Sequence, residues 1–132
     1  MLTLYAADVC PFAHRTRALL IHLDVPFDLR EVDLKDKPED FVSISPTGKV
    51  PMLVDGDLKL YESQVINDYL AQVHGFDAAY PSDPGQRARV KLAMKQFDST
   101  VLPAFYEGLR RPESFDDARR GCTAQRSRSS QR

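Results

Sequence analysis

Apolar residues recur along this chain with two alternating kinds of spacing, and the alternation outlines its elements. The apolar run at residues 2–6 suits a buried strand. After the connection Ala7-Asp8-Val9, Pro11 stands where a helix tolerates proline best, at its first position. From Phe12 onward Leu19, Leu20 and Leu23 recur at helical spacing, with Arg15, Arg17 and His22 interleaved, until Val25-Pro26 stops the helix. Residues 27–34 read as a second strand. Its alternation slips phase between Leu29 and Val32, which predicts a bulge or a bend.

Residues 35–45 are polar and irregular, with one short helix expected around 38–42. Ser45-Pro46-Thr47-Gly48-Lys49-Val50-Pro51 is dense in turn formers. Met52, Leu53 and Val54 make a strand, Asp55-Gly56 signals a hairpin turn, and residues 58–61 return as the partner strand. After Glu62-Ser63, the stripe Val65, Ile66, Tyr69, Leu70 and Val73 predicts a helix that Gly75 ends. Residues 75–83 read as a connector. A further helical face begins near Pro84 and carries Val90, Ala93, Met94, Phe97 and Val101, and Pro103 is expected to bend or end it unless packing compensates. The segment 118–132 is arginine-rich and lacks periodicity, so disorder is expected there. There is no internal repeat. The order strand, helix, strand, short helix, strand, strand, helix implies an α/β fold: a mixed four-stranded sheet of thioredoxin-like type with helices on both faces.

Composition narrows the function classes. Over 132 residues, 42% are hydrophobic and 28% charged, as in a soluble globular domain. A formal net charge of −1 makes no electrostatic case for nucleic acid, and a basic tail is more often solvated than bound. No transmembrane run occurs. The opening residues lack a basic leader and soon meet Asp8, so no secretory signal is expected. Two distant cysteines, Cys10 and Cys122, form no disulfide framework and suit a reducing cytoplasm. No metal-ligand pattern stands out.

Three features carry candidate chemistry. Cys10-Pro11 lies between a strand and a helix, where unpaired backbone N–H groups and the helix dipole favour a thiolate, with His14 and Arg15 in the first turn as possible helpers. The alternative is a cysteine buried as a small apolar side chain. Cys10-Pro11-Phe12-Ala13 also has the outline of a Cys-x-x-Cys redox motif whose second cysteine is replaced by Ala13. A disulfide formed at Cys10 would then wait for an external thiol such as glutathione. Val50-Pro51, following a glycine-containing loop, is a candidate cis peptide that would turn the backbone N–H and C=O of Val50 outward for an extended ligand; an ordinary trans proline at a strand edge is the alternative. Ser63 is a plausible helix N-cap, and capping alone would explain it; the alternative is that Ser63 and the free N–H groups hold a ligand carboxylate while Glu62 receives an ammonium group.

In this order and spacing, the three features resemble the N-terminal domain of glutathione transferases. The segment Cys10-Pro11-Phe12-Ala13-His14-Arg15-Thr16-Arg17 is most similar to the omega class and its relatives, including plant dehydroascorbate reductases and chloride intracellular channel proteins. The resemblance is close over about residues 1–80 and loose over 84–110. It implies a thioredoxin-like glutathione-binding domain at 1–74, a linker at 75–83, the first helix of an all-α C-terminal domain at 84–112 and a basic tail at 113–132.

The resemblance further implies that Cys10 forms a mixed disulfide with glutathione, the co-substrate. Val50, before Pro51, would pair with the cysteinyl backbone, and Glu62 and Ser63 would bind the γ-glutamyl end. Lys37, or else Lys49, would meet the glycine carboxylate, and Phe12 belongs to the same set. Thiol transfer, deglutathionylation or dehydroascorbate reduction is implied on a small electrophilic or disulfide substrate, in a cytoplasmic protein of the homodimeric kind. Tyr5 and Thr3 read as strand residues and not as activators of a nucleophile. Only the first helix of the family's second domain is recognisable, so a truncated and inactive fragment is one alternative. A non-catalytic interaction module, resembling bacterial stringent-starvation proteins that bind RNA polymerase, is another.

Overall fold

The computed structural model describes residues 1–111. The basic tail expected at 113–132, and the disorder expected over 118–132, lie outside them. Contacts divide the chain into a unit spanning Met1–Ser82 and a second that begins at Asp83.

The first unit runs β1 (Leu2–Ala6), α1 (Pro11–His22), β2 (Phe27–Glu31), α2 (Glu39–Ile44), β3 (Met52–Asp55), β4 (Leu58–Tyr61), α3 (Ser63–His74) and α4 (Phe76–Ala79). Its sheet has the order β2-β1-β3-β4. β1 and β2 are parallel, while β3 is antiparallel to both β1 and β4. This is the mixed four-stranded sheet expected from the element order.

Alternation in the strands divides the core between the two faces of the sheet. Leu2, Leu4 and Ala6 of β1 and Leu53 of β3 join Ala13 and Leu20 of α1 and Ile66 and Leu70 of α3. On the other face Met52 joins Val32 and Phe41 of α2, with Tyr5 and Val54 packed against them. The Tyr5 and Phe41 rings lie 5.4 Å apart, so Tyr5 is a packing residue of its strand. Val50 packs against both clusters, which anchors the turn before Pro51 to the whole core.

Several local expectations are corrected. β2 carries no bulge: it pairs in unbroken register with β1 from Phe27 to Glu31 and then stops. The phase slip marks the strand's end, where Val32 donates its N–H to the Ala6 carbonyl at 2.7 Å and turns into the core. The hairpin places Asp55 opposite Leu58, so its loop is Gly56-Asp57, one residue later than expected. Gly56 takes φ 58°, a value suited to glycine in such a turn. The short helix starts at Glu39, with Pro38 as its N-cap. Residues 75–82, expected to be a connector, lie within the first unit: α4 packs on α3, Gly75 approaches Leu23, and Tyr80 is buried.

The second unit contains α5 (Pro84–Gln96), a five-residue π-helical turn (Phe97–Val101) and α6 (Leu102–Arg110). The Asp83 side chain caps α5 by accepting from the Gln86 N–H at 2.7 Å. Pro103 does not end the helix. Leu102 donates to the Phe97 carbonyl five residues back, and the wider π turn gives the proline ring room against the carbonyl of Ser99. Among the described residues, no helix is long and apolar enough to cross a membrane.

Candidate functional site

The site grows from three backbone irregularities on the first unit. At the first, β1 ends and the chain turns through Ala7, Asp8 and Val9 before α1. Cys10 donates its N–H to the Ala7 carbonyl at 2.9 Å, and its own carbonyl accepts the first helical bond from His14 at 3.1 Å. Cys10 is thus the N-cap of α1, with Pro11 behind it and no side-chain capping bond. First-turn N–H groups lack intrahelical partners, and the positive end of the dipole is worth roughly 0.3–1 kcal/mol to a nearby anion.

Asp8 pins this loop from three sides. Its N–H donates to Glu31 Oε1 at 2.8 Å, and its carbonyl accepts from His14 Nε2–H at 2.6 Å. Its carboxylate meets Arg17 at 3.5 Å, an exposed pair of small energetic weight. His14 therefore shapes the loop, and Arg15 lies over the Phe12 ring, 5.3 Å from its centroid.

The second irregularity is the turn before β3. Ser45 Oγ accepts from the Gly48 N–H at 3.0 Å, and Thr47 Oγ1 accepts from the Lys49 N–H at 3.3 Å. Gly48 adopts φ 61°. The Val50-Pro51 peptide is cis, as the surrounding pattern suggested. The Cys10 thiol lies 3.7 Å from the Val50 carbonyl and donates a weak hydrogen bond to it. Residues forty positions apart are thus brought into contact.

The third irregularity opens α3. Ser63 is not the N-cap: it is the first helical residue, and Glu62 is the cap, with φ 69° and ψ 112°. A non-glycine residue held there costs of order 1–3 kcal/mol and persists only where its surroundings enforce it. The turn carries the chain from β4 into α3 and brings Glu62 and the buried Ser63 to the rim of a cavity.

That cavity has a volume of about 230 Å³ and is lined by Phe12, Thr47, Lys49, Val50, Pro51, Tyr61, Glu62 and Ser63. Six residues expected from the sequence, Phe12, Lys49, Val50, Pro51, Glu62 and Ser63, converge on it. Cys10 stands beside its Val50 wall, buried, with 7% of its surface exposed. Lys37 is not part of the lining; its Nζ lies next to Gly48, 3.9 Å from where a Cβ would stand, on the same loop as Thr47 and Lys49. Thr47 and Tyr61 were not expected as site residues. Tyr61 is half exposed at the end of edge strand β4, and an outward aromatic beside Glu62 was the available signal.

In the first unit Tyr80 has a hydroxyl pushed up from 10.0 to about 12 by burial and then by its hydrogen bond to Asp68, with Arg15 pulling the other way. Tyr69 is likewise raised, chiefly because its hydroxyl donates to Asp55 Oδ2 at 2.6 Å.

Comparison with known proteins agrees with this geometry. The family model described as glutathione S-transferase, N-terminal domain, matches residues 4–78. Human glutathione S-transferase omega-2 is 32% identical over 98 residues, covering 74% of this chain and 40% of that protein. A stringent starvation protein A homolog from Coxiella burnetii is 33% identical over 98 residues, covering 74% of this chain and 47% of its own. The chain thus spans less than half the length of either. A Sulfitobacter glutathione transferase homolog, solved with bound glutathione, superposes with a TM-score of 0.72 at 26% identity, over 86% of this chain and 56% of that one. The chain belongs to the glutathione S-transferase family, and residues 4–78 match that family's N-terminal domain.

Proposed function

We propose that this protein is a glutathione-dependent thiol transferase of omega-like type in which Cys10 is the nucleophile. The observation that carries the reading is the juxtaposition of the Cys10 thiol, at the N-terminus of α1, with the Val50 carbonyl of the cis-proline turn, 3.7 Å away at the wall of the cavity. Similarity to an omega-class enzyme and to a homolog that binds glutathione supports it.

In the proposed cycle, the Cys10 thiolate attacks a glutathione-bearing disulfide. The Cys10–glutathione disulfide forms and the other thiol leaves as thiolate. Ala13 occupies the position from which a second cysteine would resolve this bond, so a glutathione thiolate attacks the glutathione sulfur, releasing Cys10 and oxidised glutathione. The cis turn offers the Val50 backbone to the cysteinyl segment. Glu62 and the first turn of α3 with Ser63 receive the γ-glutamyl ammonium and carboxylate, and Lys49 or Lys37 meets the glycine carboxylate. A cytoplasmic setting and a homodimer belong to the same proposal; light scattering on the purified chain tests the dimer.

The test is to incubate the chain with oxidised glutathione, take its intact mass and map the adduct. Fast addition at Cys10, reversed by reduced glutathione and outpacing Cys122, is the expected result. Addition at Cys10 no faster than at Cys122 would sink the reading. A second reading, a non-catalytic interaction module, is favoured by the similarity to the stringent starvation protein A homolog. A folded chain that takes up no glutathione at Cys10 is its signature.

A further inference from the structure

Where α1 packs on α3, a buried polar pair lies among apolar side chains. Thr16 and Asn67 are both buried, and the Thr16 hydroxyl donates to Asn67 Oδ1 at 2.9 Å. Around them stand Ala13 and Leu20 of α1 and Ile66 and Leu70 of α3. Among the described residues the buried polar side chains are Thr16, Ser63 and Asn67. Ser63 lines the cavity, and the other two bond to each other.

Apolar helix faces tolerate small slides and rotations, because one methyl group replaces another at modest cost. A buried hydrogen bond does not: a shift that breaks it strands a donor and an acceptor in a dry interior. Such a pair therefore fixes register, the best-attested role of isolated polar groups in apolar interfaces. Its place in the two helices matters. Thr16 lies six residues beyond Cys10, about 9 Å along α1, and Asn67 four residues beyond Ser63, about 6 Å along α3. The bond thus sits at similar depth beneath the two helix starts that carry the two halves of the site: Cys10 and Phe12 on one, Glu62 and Ser63 on the other.

We propose that Thr16 and Asn67 are a positioning pair that sets the separation between the Cys10 thiol and the Glu62-Ser63 end of the cavity. The inference rests on the reading of Cys10 as a thiol-transfer nucleophile. The pair matters only to reactions that engage both halves at once. Glutathione disulfide does so, held by its γ-glutamyl end while its sulfur meets Cys10. Iodoacetamide, a small neutral reagent, samples Cys10 alone.

The test compares Cys10 modification by these two reagents in the full chain and in three variants: Thr16→Val, Thr16→Ser and the double variant Thr16→Val/Asn67→Leu, each checked by thermal melting. Valine keeps the shape of threonine and removes the bond, serine keeps the bond, and the double variant removes the stranded amide as well. In Thr16→Val, addition of glutathione should slow about tenfold while iodoacetamide stays within about twofold of the parent, because misplacing one half of a two-point site penalises only the two-point reaction. Thr16→Ser should match the parent with both reagents. The inference is overturned if Thr16→Val reacts with glutathione disulfide like the parent, if both reagents slow together, or if Thr16→Ser is as slow as Thr16→Val. Should Thr16→Val fail to fold, the double variant carries the same comparison. Failure of both would make the pair a requirement of folding and overturn the positioning role. A parent chain with no selective adduct at Cys10 defeats the thiol-transfer reading itself, and this inference with it.

Discussion

The two units of the chain handle their apolar residues in opposite ways. In the first, Leu4, Leu20, Phe41, Met52, Leu53 and Ile66 are fully buried between the sheet and its helices. In the second, only Leu102 is a buried large apolar residue among those described, while Leu92, Phe97, Val101, Phe105 and Leu109 remain open to solvent. Both patterns predict helices from their periodicity. Among the described residues, the first unit alone supplies the surfaces that its helices bury. Periodicity announces an element and says nothing of what covers it.

The sharpest way to break this contrast is to remove the same side chain from each unit. Phe41→Ala should cost about 3–5 kcal/mol in denaturant unfolding, as deletion of a fully buried ring does. Phe97→Ala should stay within about 0.5 kcal/mol, as for a surface change. Equal losses would show that Phe97 is covered in solution. A smaller effect is expected at the strained cap. Glu62→Gly should exceed Glu62→Ala in stability by about 1 kcal/mol, since glycine adopts φ 69° without penalty, while both lose the carboxylate. If alanine proves as stable as glycine, the turn is not strained.

The smallest effect is confined to alkaline pH. Tyr80 has a folded-state value raised from 10.0 to about 12, so the fold favours the neutral hydroxyl. Its contribution is complete below pH 10 and is lost as pH rises through the folded value, because the unfolded chain ionises first. A pH series of unfolding free energies should fall across that window, and Tyr80→Phe should flatten the fall. An unchanged slope in that variant would assign the loss to other groups.

Much of the first unit was legible because its local signals agree with one another. Pro11 at a helix start, Gly48 at positive φ and Pro51 opening a strand each mark a backbone constraint that only a few residue types satisfy. Six of the eight cavity-lining residues were named on that basis and by resemblance. What stayed hidden depends on packing at a distance. Glu62 replaces Ser63 as the cap because the chain must swing sharply from β4 into α3, a demand of the sheet and not of the dipeptide. Tyr61 and Thr47 enter the lining because β4 and the cis-proline turn converge on one cavity. The slip at Val32 was visible, but its cause, a strand that ends as the Val32 side chain is buried, shows only in the bond to Ala6. Pro103 was expected to bend or end its helix unless packing compensated; the helix instead continues through a π turn of the backbone just before it.

The central claim is that the first unit builds a glutathione site around Cys10, the cis-proline turn and the start of α3. The most direct measurement is an amide NMR titration of the ¹⁵N-labelled chain with S-methylglutathione, which binds without reacting. The account predicts saturable shifts at Lys49, Val50, Glu62 and Ser63. An absence of saturable shifts at millimolar ligand, or shifts that leave these four amides unmoved, would contradict it.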